Sequence, residues 1–212
     1  MKVSLVSITR PHLDGVVQTP EEHIVYLARV SNPANQHKNE TAPKLIKYLI
    51  EHKHWSPFEM VDLTFCIVTS RAVSAQLLRH RSAVFQEFSQ RYAAVTETEQ
   101  VELRLQGRSN RQVGDVTITD KTLNRNVKDH LKASMQLYAD LISQGVAKES
   151  ARFVLPMAAT TTLYMKNNVR NWIHYIELRT KENTQKEHRQ VAEAIKTIFV
   201  GIFPTIAEVL LW

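Results

Sequence analysis

Residues 61–81 read VDLTFCIVTSRAVSAQLLRHR, and no other stretch of the sequence is as informative about the fold. In its first half every second residue is a large apolar one: Val61, Leu63, Phe65 and Ile67. This two-residue period predicts a strand with one buried face over residues 61–68. Ser70 is a residue type that caps helices, so the second half predicts a helix from Ser70 to about Arg81.

The segments on either side of this stretch are predicted to be mostly helical. A strand is predicted at Val3–Ile8, followed by a turn through Pro11, Asp14 and Gly15. Apolar periodicity and capping residues predict helices at 20–32, 41–50, 119–145, 148–155 and 168–179, and from a capping box at Thr184–Glu187 to Pro204. The polar segment 97–119 is predicted to be a surface loop. Because helices outnumber strands and do not alternate regularly with them, the fold is predicted to be α+β, in one domain over residues 1–212.

The composition excludes several classes of protein. The chain has 212 residues, 43% of them hydrophobic, but it lacks the run of about 18 apolar residues that a membrane-spanning helix needs. Cys66 is the only cysteine, which excludes an internal disulfide and a multi-cysteine metal site. The sequence contains neither G-x-G-x-x-G nor G-x-x-x-x-G-K-[ST], the two glycine-rich motifs that bind nucleotide phosphates. Since no secretory signal is recognisable, a cytoplasmic protein is expected, in the host cytoplasm if the source is viral.

The chain is basic, with 27 lysines and arginines against 21 aspartates and glutamates and a formal net charge of +6. This balance fits either nucleic acid or small phosphorylated and carboxylated ligands. The basic residues are isolated along the sequence rather than gathered in blocks, which suits a pocket for a small anion at least as well as a basic surface. A nucleic-acid-binding module is the leading alternative from another class, and it would need a basic face with stacking aromatic side chains.

The densest group of chemically versatile residues lies at the end of the predicted 70–81 helix and just after it. Arg79-His80-Arg81 is followed by Gln86-Glu87-Phe88-Ser89-Gln90-Arg91-Tyr92. Gln76 is expected on the same helix face as Arg79 and His80, with Arg81 turned toward another face. A solvated basic helix end that offsets the helix dipole is the alternative. Glutamate, serine and arginine at this spacing favour hydrogen bonding to a ligand.

Two more clusters contain residues suited to binding. The first is His52-Lys53-His54-Trp55-Ser56-Pro57-Phe58-Glu59. Its histidine spacing is wrong for a helical metal site and a third ligand is lacking, so no metal is predicted. The second places basic and polar residues on two successive helices: Arg152, Asn168, Arg170, His174 and Arg179. An exposed polar face is the alternative explanation for this second cluster.

Taken together, these motifs resemble those of the flavin-dependent thymidylate synthases. Arg79-His80-Arg81, seven further residues and Ser89 reproduce the R-H-R-x7-S signature of that family. The other matching segments, in the family's order, are Ser56–Glu59, Glu87–Tyr92, Glu149–Pro156 and Arg170–Arg179. The resemblance spans residues 28–204, although segment 97–119 matches none of the family's motifs.

The resemblance implies a small antiparallel sheet packed by several helices and a methyltransferase activity. Members of the family methylate dUMP to dTMP, with methylenetetrahydrofolate as the carbon donor, FAD as the hydride carrier and NADPH as the reductant. They are homotetramers with active sites shared between subunits, and neither a nucleic acid nor a membrane is expected as a partner. A flavoprotein of this fold that uses another pyrimidine or another carbon donor is the second alternative.

The resemblance also implies roles for individual residues. The FAD contacts would come from Ser56, Arg79, His80, Arg81, Glu87, Asn168, Arg170 and His174, with His54 near the flavin ring. The dUMP contacts would come from Gln76, Arg79, Glu87, Ser89, Gln90, Arg91, Arg152 and Arg179. Arg179 is the implied catalytic residue, because a fixed guanidinium stabilises the negative charge that develops around N3 of the uracil ring.

Neither candidate nucleophile is expected to act as one. Cys66 lies in the middle of the predicted strand and is expected to be a buried, inert thiol. Ser89 lacks an oriented base and is expected to bind phosphate or ribose, with Tyr92 packing near the site. Val84 and Gln86 depart from the family pattern, which leaves their roles open.

Overall fold

An antiparallel sheet of four strands carries the core of the computed structural model, which describes residues 1–13, 15 and 17–212. The strands of the chain are β1 Lys2–Ile8, β2 Asp62–Ser70, β3 Val84–Glu87, β4 Arg104–Gln106, β5 Gly114–Thr117 and β6 Thr160–Asn168. The sheet has the order β1–β2–β6–β3, and every neighbouring pair is antiparallel. The strands β4 and β5 form a separate hairpin. Asp14, in the predicted first turn, lies outside the described residues.

Helices are the commonest element in the rest of the chain, and the predicted α+β class is confirmed. They are α1 Pro20–Ala28, α2 Ala42–Glu51, α3 Arg71–Leu77, α4 Lys121–Ser143, α5 Lys148–Ala151, α6 Val169–Arg179, α7 Lys186–Ile202 and α8 Pro204–Val209. Short 3₁₀ segments lie at 33–35, 39–41, 56–60 and 152–154. Within the described part of the chain, none of the helices combines the length and the apolar character required to cross a membrane.

The strand β2 places alternate side chains in the core, as its sequence predicts. Leu63, Phe65 and Ile67 are fully buried, whereas Cys66 is only half-buried. The prediction of a buried core thiol is therefore wrong, because successive strand residues point to opposite faces of the sheet. The core continues into α6, where the Trp172 ring packs edge-on against Phe65 with centroids 4.9 Å apart. Trp172 Nε1–H also donates to the Leu63 carbonyl at 3.2 Å.

The sequence analysis does not identify two strands of the sheet, β3 and β6. The strand β6 pairs with β2 from Asp62↔Asn168 to Ser70↔Thr160 and carries β3 on its other side. Six of the nine residues in its sequence, TTTLYMKNN, are polar, so hydropathy shows little of its alternation of buried and exposed residues. The strand β3 ends with Gln86 and Glu87, the first two residues of the polar motif after the arginines, and these residue types indicate ligand binding rather than a strand.

The helix after β2 is shorter than predicted. It ends at Leu77, and the chain then turns so that β3 can pair with β6. Arg79 and His80 therefore lie in this turn rather than on a helix face, and the His80 N–H donates to the Leu77 carbonyl at 3.0 Å. Ser70 occupies the N-cap position, but its side chain makes no capping hydrogen bond. Its backbone N–H donates instead to Glu99 Oε2 at 2.8 Å.

Segment 97–119 contains the β4–β5 hairpin and is not only a loop. Two ion pairs tie the segment to the start of α7: Lys186 Nζ lies 2.8 Å from Glu102 Oε2, and Arg104 Nη2 lies 2.5 Å from Glu187 Oε1. Hydrogen bonds from Lys186 and Arg104 lower the pKa of Glu102 to about 2. The segment that matches no family motif is thus attached to the body of the protein by charged side chains.

The predicted capping box at Thr184–Glu187 does not form. Gln185 occupies the N-cap position of α7 and makes no side-chain capping bond. Thr184 is buried in the connection between α6 and α7, and its hydroxyl donates to the Leu178 carbonyl at 3.4 Å. Burial of the threonine in this connection therefore takes its hydroxyl away from the helix end.

A second, smaller apolar cluster lies beside α4. It contains Val95, Tyr138, Ala151 and Ala159, and the Val95 N–H donates to Tyr138 Oη at 3.4 Å. Tyr138 is the buried residue of α4, whereas Leu123 and Leu137 of the same helix are 45% and 49% exposed. The apolar stripe that predicts this helix is therefore buried at Tyr138, half-buried at Met135 and Leu141, which pack on the cluster, and exposed at Leu123.

Candidate active site

Arg179, the predicted catalytic residue, lies at the end of α6 and contacts His80. Its Nε–H donates to His80 Nε2 at 2.9 Å, which joins α6 to the turn after α3. Because arginine keeps its proton, His80 Nε2 is the acceptor and the proton of the ring is on Nδ1. Burial, and then the charges of Arg179 and His174, lower the pKa of His80 to about 4. The histidine beside Arg179 is therefore neutral near pH 7.

A buried histidine that the sequence analysis does not single out, His188, lies beside this pair. It is fully buried, and its ring packs edge-on against His80 with centroids 5.9 Å apart. Burial, and then Arg179 and His80, lower the pKa of His188 to about 3. The residue shares a stripe of α7 with buried apolar residues. Its position in the sequence therefore indicates the core and gives no signal of a site.

Gln76 joins His188 to the start of α7. Its Oε1 lies 3.1 Å from His188 Nδ1, and its Nε2 donates to Gln185 Oε1 at 2.5 Å. The structure therefore brings Gln76, His80 and Arg179 into one group, and His174 is close enough to lower the pKa of His80. Gln185 and His188 are members of this group that the motifs did not indicate.

The two neutral histidines predict that the fold loses stability in mild acid. An unfolded histidine binds a proton below about pH 6.5, whereas folded His80 and His188 stay neutral until the pH falls to about 4 and about 3. The stability that depends on these neutral histidines is therefore fully present above pH 6.5 and is lost progressively as the pH falls from 6.5 toward the pKa values of the folded state. A fully buried neutral histidine makes the free energy of unfolding fall by at most about 1.4 kcal/mol per pH unit below pH 6.5. Half-buried His80 contributes less to this fall, because solvent screens its charge.

Urea unfolding between pH 7 and pH 5 measures this dependence as the slope of unfolding free energy against pH. The variant His188→Leu is expected to show a shallower slope than the wild type, because its folded and unfolded states no longer differ in proton binding at this position. Equal slopes for the two proteins would contradict the neutral state of His188.

Glu87 is held by side chains from α3 and β6. Its Oε1 accepts hydrogen bonds from Arg71, from Ser74 at 2.5 Å and from Thr161 at 3.0 Å. Burial opposes ionisation, but these hydrogen bonds outweigh it and lower the pKa of Glu87. All three bonds go to one oxygen, so the second oxygen of the carboxylate is left for a ligand. Arg71 and Ser74 are three residues apart and so lie on one face of α3. This spacing is the only feature of the sequence that indicates a shared contact for the two side chains.

Asn168 and Arg170 lie at the start of α6, where Asn168 caps the helix by accepting the N–H three residues later at 2.9 Å. Arg170 forms an ion pair with Glu59, which belongs to the 3₁₀ segment that begins at Ser56. The structure therefore brings the first motif, Ser56–Glu59, to the N-terminus of α6. His54 precedes this motif and is exposed, with its ring edge-on to that of Tyr48.

The remaining predicted ligands border the second apolar cluster. Ser89, Gln90 and Arg91 follow Phe88, which packs on that cluster, and Arg152 follows its member Ala151. The side-chain nitrogen of Gln90 is buried and has no hydrogen-bond partner among the described residues. A buried donor of this kind is expected to meet a ligand or a water. Tyr92 is 87% exposed in this chain, and its packing near the site stays a prediction.

Similarity to known proteins extends over the whole chain. A family model described as thymidylate synthase complementing protein matches residues 13–205. The chain is 50% identical over 216 residues to a protein named probable flavin-dependent thymidylate synthase in Paramecium bursaria Chlorella virus 1, and the match covers 100% of both chains. The chain belongs to the flavin-dependent thymidylate synthase family. The family resemblance predicted from the sequence motifs is therefore confirmed.

Other members of the flavin-dependent thymidylate synthase family are also similar over most of their length. The Synechocystis protein of this name is 46% identical, with 100% of both chains covered. The Dictyostelium discoideum protein is 35% identical over 98% of this chain and 70% of its own. The crystal structure of a UMP/dUMP methylase from Streptomyces cacaoi, bound with 5-Br dUMP, has a TM-score of 0.83 at 26% identity. That match covers 99% of this chain and 94% of the methylase, and it confirms the fold.

The arginines of the site suit the flavin after which the family is named. Within residues 1–13, 15 and 17–212, no carboxylate forms an ion pair with Arg79, Arg81, Arg91, Arg152 or Arg179. Guanidinium groups without a carboxylate partner are suitable donors for the diphosphate of FAD. The residues present therefore fit the cofactor. Among the same described residues, no group of three or more histidine, cysteine, aspartate or glutamate side chains is arranged to hold a metal ion.

Proposed function

We propose that this chain catalyses the reductive methylation of dUMP to dTMP, with methylenetetrahydrofolate as the carbon donor, FAD as the hydride carrier and NADPH as the reductant. The observation that carries the proposal is the Arg179–His80 pair at the end of α6, in a chain of the flavin-dependent thymidylate synthase family. The methylase of similar fold was solved with 5-Br dUMP, which supports a uracil nucleotide as the substrate.

Arg179 is suited to stabilise negative charge on the uracil ring. Its Nε is bound to His80, so its two terminal nitrogens remain for a ligand. His80 is neutral near pH 7, and no carboxylate pairs with Arg179 within the described ranges, so the protein leaves the positive charge uncompensated. Addition to the uracil ring places negative charge on N3 and its flanking carbonyls. A guanidinium fixed there beforehand stabilises that charge without having to reorganise.

The proposed ligand contacts follow the family motifs. For dUMP they are Gln76, Arg79, Glu87, Ser89, Gln90, Arg91, Arg152 and Arg179. For FAD they are His54, Ser56, Arg79, His80, Arg81, Glu87, Asn168, Arg170 and His174. Bound FAD supplies the redox chemistry, by carrying the reducing equivalents of NADPH. The residues of this chain bind and orient both partners of the reaction and supply the positive field around the pyrimidine.

A homotetramer with active sites shared between subunits is part of this proposal. Within one chain the candidate ligands form separate groups, around Arg179, at the start of α6 and beside the second apolar cluster. Tyr92 and Phe153, next to predicted dUMP ligands, are 87% and 84% exposed. Large exposed aromatic side chains are typical of surfaces that another chain covers. The cytoplasmic location and the absence of a nucleic-acid partner stay predictions.

The visible spectrum of the purified protein tests the proposal first. A bound flavin that bleaches when NADPH is added anaerobically, with and without dUMP, would support the reductive half of the reaction. Formation of dTMP after methylenetetrahydrofolate is added would then identify the substrate and the carbon donor. A colourless protein that cannot be reconstituted with FAD would overturn the proposal and favour nucleic-acid binding, which predicts salt-sensitive affinity for a polymer.

The second alternative is a flavoprotein of this fold that methylates another pyrimidine. The methylase of similar fold is named for both UMP and dUMP, so comparing the turnover of UMP with that of dUMP separates this alternative from the main proposal. Preferential methylation of UMP would move the assignment to a ribonucleotide. Preferential methylation of dUMP would support thymidylate synthesis.

A further inference from the structure

A set of hydrogen bonds joins the β4–β5 hairpin to the buried His188 through Gln76. Arg104 Nη2 donates to Glu187 Oε1 at 2.5 Å, and Gln185 Nε2 donates to Glu187 Oε2 at 2.8 Å. Gln76 Nε2 then donates to Gln185 Oε1 at 2.5 Å, and Gln76 Oε1 lies 3.1 Å from His188 Nδ1. The amide of Gln76 is therefore held at both of its ends, by Gln185 at its nitrogen and by His188 at its oxygen.

The direction of every bond in this set follows from Glu187. Burial opposes its ionisation, but the hydrogen bonds from Arg104 and Gln185 outweigh that effect and lower the pKa of Glu187. An ionised carboxylate only accepts hydrogen bonds, so Gln185 must present its nitrogen to Glu187 and its oxygen to Gln76. Gln76 must then present its own nitrogen to Gln185 and its oxygen to His188. His188 Nδ1 is consequently the donor, and its Nε2 carries no proton.

Stability alone does not explain a histidine at this position. His188 Nε2 and Tyr175 Oη are both buried, and neither has a hydrogen-bond partner among the described residues. Each buried polar atom without a partner costs about 1–3 kcal/mol. His188 lies among Val191, Ala192 and Ile195 on the buried side of α7, where an apolar side chain would avoid that cost. The hydrogen bond to Gln76 is the one polar contact that the His188 side chain makes within the described residues.

We propose that His188 and Arg104 are positioning residues that hold the Gln76 amide in one orientation for the nucleotide. His188 fixes the oxygen of the amide, and Arg104 fixes its nitrogen through Glu187 and Gln185. One N–H and one lone pair of Gln76 are left for dUMP. The inference rests on the proposed function, in which Gln76 contacts dUMP. It also assigns a role to the hairpin, which supplies Arg104 and matches no family motif.

Calorimetric titration of the flavin-loaded protein with dUMP tests the inference without relying on turnover. The variant His188→Leu fills the site but lacks the donor, and its Kd for dUMP is expected to rise about tenfold, the equivalent of one hydrogen bond. In steady-state assays its KM for dUMP should rise, with kcat changed less than about twofold, since uniform binding is what is lost. The variant His188→Asn places an amide nitrogen near the position of Nδ1 and is expected to restore most of the affinity.

Three further variants test whether a change in dUMP affinity comes from this set of hydrogen bonds. His130→Leu, on the exposed side of α4, is the matched control and should bind dUMP like the wild type. Glu187→Gln permits the hydrogen bonds to reverse and should weaken binding, as should Arg104→Met. Wild-type affinity in His188→Leu, or equally weak binding in His188→Leu and His188→Asn, would overturn the inference while leaving the proposed function intact. A wild-type protein that does not bind dUMP would overturn both.

Discussion

Replacing Arg179 with alanine is expected to lower the rate of dTMP formation by about 10²–10³-fold, the loss that follows removal of one preorganised donor to a developing anion. The variant removes the cation that His80 holds at the end of α6. Its visible spectrum should still show bound flavin, because Arg179 is assigned to the nucleotide and the cofactor contacts lie mainly elsewhere. The side chain is half-buried at the last residue of the helix, so the fold should survive the change.

Anaerobic single-turnover assays, in which protein with NADPH-reduced flavin is mixed with dUMP and methylenetetrahydrofolate, measure this effect directly on the chemical step. Arg179→Lys keeps a positive charge but loses the planar donor set and is expected to recover only part of the rate. Arg125→Ala, on the exposed side of α4, is the matched control for the loss of an arginine. Turnover of Arg179→Ala at the wild-type rate would remove Arg179 from the mechanism.

The largest expected effect on stability follows Trp172→Ala, which should lower the free energy of unfolding by about 3–5 kcal/mol. Trp172 is fully buried, and its ring packs edge-on against Phe65 and Tyr175 with centroids 4.9 and 5.6 Å away. The substitution leaves a cavity between β2 and α6. It also leaves the Leu63 carbonyl without the indole donor that binds it at 3.2 Å.

Urea denaturation at a fixed protein concentration measures this loss. Trp172→Phe keeps an aromatic ring against Phe65 but lacks the N–H, so its stability should fall between those of the wild type and the alanine variant. A loss below about 1 kcal/mol in Trp172→Ala would contradict this prediction. It would show that neighbouring side chains fill the cavity and that the packing of α6 on β2 does not depend on the tryptophan ring.

The elements that the sequence predicts well are those whose periodicity is strong over a short distance. The alternation in 61–68 gives β2, and the spacing of Trp172, Ile173 and Ile176 gives the buried side of α6. The strand β6 is missed because polar Thr161 and Asn167 occupy buried positions, whereas the large Tyr164 ring is exposed. The end of α3 is missed for a different reason: the pairing of β3 with β6 decides it, and that pairing joins residues far apart in the chain.

The candidate site also contains residues that the sequence predicts and residues that only the structure shows. The arginines, His80 and Glu87 are predicted because their motif spacing is local and chemically distinctive. His188 is hidden by its apolar neighbours on α7. Thr161, which binds Glu87, becomes visible only when a distant strand is placed beside it. Partners brought together by the fold leave no signal in a single sequence, whereas side chains that bind ligands leave one through their chemical type.

The hairpin on segment 97–119 is also expected to open separately from the rest of the chain. Leu105 and Val116 are 54% and 55% exposed, so detaching the hairpin from α7 uncovers little apolar surface. What detachment breaks is the two ion pairs to α7, Glu102–Lys186 and Arg104–Glu187. Salt screens such partly exposed charges. Rising ionic strength should therefore speed amide hydrogen exchange in the hairpin while β2 and β6 stay protected. The segment is then a local unfolding unit whose opening free energy depends on salt concentration rather than on core packing.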